Sequence, residues 1–177
     1  MTQPTLLTTV ITLAALTAGC ATNMPTPSDE QRCRAADFAP PFGEVDPCSA
    51  DAVLTAAVTT VFGYRPSEHP DQRAAFRAAR PLMDPGFAQR AEPAALVWAP
   101  VSATQWQQWR TDAATIAASA RVTSDDHPAD TVTTAHRVLA VALEARNQPP
   151  IRWAVYAHAT RTTAESAWLL TGLEVLS

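Results

Sequence analysis

Ile151-Arg152-Trp153-Ala154-Val155-Tyr156-Ala157-His158-Ala159-Thr160-Arg161 is the stretch whose reading decides the fold. Ile151, Trp153, Val155, Ala157 and Ala159 alternate with Arg152, Tyr156, His158 and Arg161, and a period of two is the signature of a half-buried strand. Working outward, the same pattern returns on both sides. Thr134 to Ala145 places Leu139, Val141 and Leu143 on one face and Val138, Ala140 and Ala142 on the other. Thr115 to Thr123 alternates Ile116, Ala118, Ala120 and Val122 against Thr115, Ser119 and Arg121. Trp168 to Leu176 reads as a nearly continuous apolar strand. The connections Ser124 to Thr131, Arg146 to Pro150 and Thr162 to Glu165 are short and polar, which suits antiparallel neighbours.

Upstream the period becomes helical. Ala50, Val53, Leu54, Ala57, Val58, Val61 and Phe62 recur at three-and-four spacing and form one stripe. Asp46 is the expected N-cap, Pro47 the first helical residue, and Gly63 the stop. A second helical segment is expected from Pro70 to Arg80, ending at Pro81, and a short turn from Pro85 to Arg90. Helices first and an antiparallel meander last make an α+β fold, with the helices on one face of a sheet of about four strands.

Net charge is -4, which disfavours nucleic acid as a partner. All 13 basic residues are arginine. Arg73, Arg77 and Arg80 fall on one helical stripe, as expected of a solvated face.

The first residues carry a different signal. Leu6 to Ala18 is apolar and uncharged, yet shorter than the roughly 20 residues a spanning helix needs. Leu16-Thr17-Ala18-Gly19-Cys20 follows it and resembles the lipobox of bacterial lipoproteins, with Thr17 where leucine is commonest and no Lys or Arg ahead of Cys20. The resemblance implies that Cys20 carries a diacylglyceryl group, that residues 1–19 are a removed signal peptide, and that the chain is held on the outer side of a cell membrane. Residues 20–45 then read as a Pro-rich linker and residues 46–177 as the domain. With Cys20 lipidated, Cys33 and Cys48 remain as an even pair in an oxidising compartment, and a disulfide between them is expected. A metal site would need ligands beyond these two thiols.

The order of a long amphipathic helix, shorter helical turns and long strands looks like the cone-shaped fold of the nuclear transport factor 2-like superfamily. The end, Ser166-Ala167-Trp168-Leu169-Leu170-Thr171-Gly172-Leu173-Glu174-Val175-Leu176, is similar to the closing tryptophan-containing strand of many such domains. A membrane-tethered member resembles the envelope subunits of actinobacterial conjugative elements and the accessory proteins of lipid-importing Mce complexes. That resemblance implies a binding or scaffold role with envelope protein partners, and a homodimer formed through the sheet.

Three groups could carry chemistry. His136, Tyr156 and His158 could line a cavity and support acid–base work if a carboxylate joined them; the plainer reading is the polar outer face of a sheet. Trp106, Trp109 and Arg110, in Thr104-Gln105-Trp106-Gln107-Gln108-Trp109-Arg110, could form an exposed ridge for a partner; the plainer reading is core packing. Asp125-Asp126-His127-Pro128-Ala129-Asp130 has oxygen and nitrogen donors but reads as turn chemistry. No nucleophile elbow, phosphate loop, zinc-ligand spacing or dinucleotide fingerprint is present, so no cofactor and no resident metal are expected. The alternative to a binding domain is a small-molecule-binding protein or a lyase or isomerase using the cone's cavity.

Overall fold

Ser49 starts the first helix. Its hydroxyl accepts from the Ala52 amide at 3.2 Å, and helix α1 (Ala50–Phe62) follows with Val53, Leu54, Ala57, Val58, Val61 and Phe62 buried along one side. The start therefore lies one turn later than the Asp46-Pro47 signal suggested. Asp46 Oδ1 instead accepts from Cys48 N at 2.8 Å in a turn, and the Pro47 carbonyl accepts from Trp168 N at 2.9 Å. That long-range bond holds Pro47 outside the helix. The structure, a computed structural model, describes residues 33–176; the segment expected to be a signal peptide, residues 1–19, and Cys20 lie outside the described residues.

Short helices come next. Helix α2 (Arg73–Ala78) starts only at Arg73, where Asp71 Oδ1 accepts from the Arg73 amide at 2.9 Å, and a 3-10 turn spans Arg80–Leu82 around Pro81. Helix α3 (Pro85–Ala91) is capped by Asp84, which accepts from Phe87 N at 2.8 Å, with proline at its start. After a 3-10 turn over Glu92–Leu96, helix α4 (Ala103–Thr111) is capped by Ser102. Sequence reading passed over α4, because its one apolar side consists of two tryptophans in a polar run.

Strands β1 (Ala117–Val122), β2 (Thr134–Glu144), β3 (Ile151–Thr160) and β4 (Leu169–Leu176) form an antiparallel meander in the order β1-β2-β3-β4. Leu139 pairs with Val155 and Val141 with Trp153, while the register shifts between His158 and Ala159 opposite β4. Because neighbours alternate, each strand gives one row to each face. Leu139, Val141, Leu143, Val155, Ala157 and Ala159 are all at most 2% exposed and join α1 in one core. Helix α1 lies against all four strands, so the helices cover this face and leave the other open. The fold is α+β, helices on an open antiparallel sheet of four strands.

Cys33 and Cys48 are joined by a disulfide, with Cα atoms 5.6 Å apart. It closes the proline-rich loop between them onto the start of α1. Arg34 N donates to Glu165 O at 3.1 Å, so the same strap also reaches the β3–β4 connection. Among the described residues no helix is long and apolar enough to cross a membrane.

Candidate functional site

The open face collects the chemistry. His136 on β2 is the direct partner of His158 on β3, which in turn faces Gly172 on β4. The two imidazoles stack with centroids 4.4 Å apart and planes 11° from parallel. Tyr156, two residues along β3 on the same face, places its hydroxyl 2.8 Å from His136 Nδ1. The Thr171 hydroxyl lies 3.3 Å from His158 Nδ1 and donates to the His158 carbonyl at 3.2 Å. Gly172 leaves room for this ring: a Cβ there would sit 3.2 Å from His158 Cβ and 3.6 Å from Nδ1.

The three residues named as cavity candidates thus come together, but on the helix-free face. They do not enter the interior, where the paired row Leu139 and Val155 is sealed by α1. The alternation decides this: His136, Tyr156 and His158 have the opposite parity to Ala135, Val155 and Ala157. Partial burial lowers the pKa of His158, and the neighbouring His136 lowers it further. Glu174 pairs with Tyr156 in register but is exposed, and among the described residues no carboxylate is hydrogen-bonded to either ring.

Farther along this face, Arg121 on β1 and Arg152 on β3 stand on either side of Ala140 and Ala142 on β2. A shallow trough of about 440 Å³ runs between them, with Ser119 and Glu144 at its wall. Both guanidinium groups are exposed. Small side chains in the middle and long charged ones at the margin give the face a flat floor.

The tryptophan ridge is corrected. Trp106 is 5% exposed and Trp109 1% exposed, so both point inward from α4, while Arg110 is exposed. Trp106 meets Tyr64 edge-on at 5.4 Å, and Trp109 Nε1 donates to Gln148 Oε1 at 2.9 Å. A spacing of three puts both rings on one side of a helix, and here that side anchors α4 to the core. Burial also holds the Tyr64 phenol protonated, its pKa pushed well above the ordinary tyrosine range.

Two arginines have roles that the sequence did not announce. Arg137 is a charged residue on the inward row of β2; it binds Asp51 Oδ1 at 2.6 Å and both Asp130 oxygens at 2.7 Å. These bonds raise the Arg137 pKa and lower that of Asp130. Arg161, expected on the polar row of β3, lies past the strand's end and is 4% exposed. Its guanidinium sits 4.4 Å above the Trp168 ring, and Nε donates to Val132 O at 2.6 Å. With Ser49 they line a cleft of about 220 Å³ at the start of α1. The signal was present: an arginine at an inward strand position needs an acid or an aromatic face.

The Asp125–Asp130 segment is a hairpin connection. Thr123 Oγ1 donates to Asp125 Oδ2 at 2.6 Å, and Asp130 is taken by Arg137. Among the described residues no three His, Cys, Asp or Glu side chains cluster as metal ligands. Compared with known proteins, the chain matches no family model, no curated protein and no solved structure.

Proposed function

We propose that this protein is a lipid-anchored extracytoplasmic domain that works by binding, as an accessory subunit of an envelope transport or conjugative secretion complex. The observation that carries the reading is the helix-free sheet face, where Arg121, Arg152, Glu144 and the His136–Tyr156–His158 group meet solvent around a flat alanine floor. An open face of this kind fits another protein surface better than it fits a small substrate, which is held in concave sites. The disulfide supports a location outside the reducing cytoplasm. The nuclear transport factor 2-like resemblance adds a second copy of the chain as one occupant of the face.

Expression of the full gene in a bacterial host tests both halves. The mass of the mature N-terminus is compared between the native chain and Cys20→Ala; a diacylglyceryl mass lost in the variant supports the anchor, and an unmodified soluble native chain overturns it. Arg121→Glu with Arg152→Glu then tests the face by in-cell cross-linking. Loss of the cross-linked species with folding intact is the expected result. An unchanged pattern would move the binding surface elsewhere.

A further inference from the structure

We propose that Asp29 and Glu30, two acids of this chain's own linker, seat in the arginine-lined cleft at the start of α1 and clip the linker to the domain. The proposal goes beyond the binding-domain reading and does not rest on lipidation of Cys20.

The argument starts from where the described chain begins. Cys33 is bonded to Cys48, which lines the cleft together with Ser49, Arg137, Arg161 and Trp168. Cys33 Sγ also lies 3.8 Å from the Ser166 carbonyl oxygen, in the connection that runs from Arg161 to Trp168. The end of the linker is therefore pinned at the rim of the cleft. Glu30 stands three residues before Cys33 and Asp29 four. An extended chain covers about 3.3–3.6 Å per residue, so their Cα atoms come no farther than about 11 and 14 Å from that of Cys33. Both side chains have the cleft of about 220 Å³ within reach.

Charge selects the occupant. The cleft holds two guanidinium groups that solvent screens little, since the Arg137 side chain is 13% exposed and Arg161 4%. Arg137 is engaged by Asp51 and Asp130 within the cleft itself. Arg161 is oriented by neutral groups, the Trp168 ring beneath its plane and the Val132 carbonyl at Nε, and a buried guanidinium calls for a carboxylate. The first turn of α1 adds to the attraction: Ala50 and Asp51 line the cleft, and the N-terminal end of a 13-residue helix favours negative charge. Asp29 and Glu30 are the only acids in the chain ahead of Cys33, and the disulfide brings them to this place. With them seated, residues 21–28 form the spacer between Cys20 and the domain.

Amide hydrogen exchange and arginine side-chain NMR on the full, oxidised chain test the clip. The amides of residues 29–32 should exchange at least about tenfold more slowly in the native chain than in Asp29→Asn/Glu30→Gln, and the Arg161 Nε–H resonance should move in that double variant. Exchange of the β2 and β3 amides reports whether the variant keeps its fold. Asp37→Asn/Glu44→Gln, which removes two exposed acids inside the disulfide loop, should leave both readouts as they are. Inorganic sulfate separates the chain's own acids from an outside anion: it should move the Arg161 signal at lower concentration in Asp29→Asn/Glu30→Gln than in the native chain. Unprotected amides over residues 29–32 in the native chain, an equal effect of the two double variants, or equal sulfate responses with and without the linker acids would overturn the proposal.

Discussion

The two faces of one sheet are built from the same strands and do opposite things. On the covered face Leu139, Val141, Val155 and Ala157 are at most 2% exposed and meet α1; on the open face their immediate neighbours Ala140, Ala142, Tyr156 and His158 stay accessible. A one-residue slip would exchange the two sets. Parity separates most of the packing from most of the exposed polar side chains, with Arg137 on the inward row as the exception. The covered face can vary only at a cost in packing, while the open face can change its side chains freely.

That separation can be broken in several ways, and the covered face should give the largest response. Leu139→Ala should cost about 2–5 kcal/mol of unfolding free energy in urea, because it removes a fully buried side chain beneath α1. A loss under 1 kcal/mol would mean the face is loosely packed. Next comes the strap. Replacing Cys33 and Cys48 together with serine should cost about 3 kcal/mol, the chain-entropy value for a loop of this length, since the bridge spans a sequence separation of 15. The same measurement, repeated with the oxidised native chain under reducing conditions, should give the same loss.

Smaller effects sharpen the boundary between the faces. Ala113 has φ of 47°, a left-handed conformation that costs a side chain but not glycine, at the end of α4. Ala113→Gly should therefore raise stability by about 0.5–1 kcal/mol in the same urea assay. Asp130 provides a pH test. Its carboxyl is lowered by Arg137, so its contribution is complete above the ordinary aspartate range and fades as pH falls through that range toward the folded value. Asp130→Asn should flatten that acid limb of the stability profile; an unchanged limb would show the pairing to be idle. The open face should respond least. Arg152→Ala should shift stability by no more than about 0.5 kcal/mol, as expected of an exposed residue with no ion-pair or hydrogen-bond partner among the described residues.

Reading the sequence located the strands within a residue or two, because alternation in Thr134–Ala145 and Ile151–Arg161 is a direct record of the pleat. It found α1 from its stripe but set the cap a turn early, since Asp46 and Ser49 are both good caps and only the Pro47–Trp168 bond chooses between them. Helix α4 was missed for a different reason. Gln105, Gln107, Gln108 and Arg110 dominate its composition, and two tryptophans are too few to announce a buried side. The same ambiguity left Trp106 and Trp109 open to a surface role that the fold does not give them.

What the sequence determined by itself was local: which segments alternate, which side chains share a strand face, and that Cys33 and Cys48 were available to pair. Periodicity and caps act within a few residues, so they can be read along the chain. Only the tertiary structure decided which row α1 would cover, that Arg137 would join Asp51 and Asp130, and that Arg161 would rest on Trp168. It also decided that His136 would stack on His158. Each of these joins residues far apart in sequence, and their meeting is set by strand register and by packing of α1 against the sheet, quantities that no local pattern encodes.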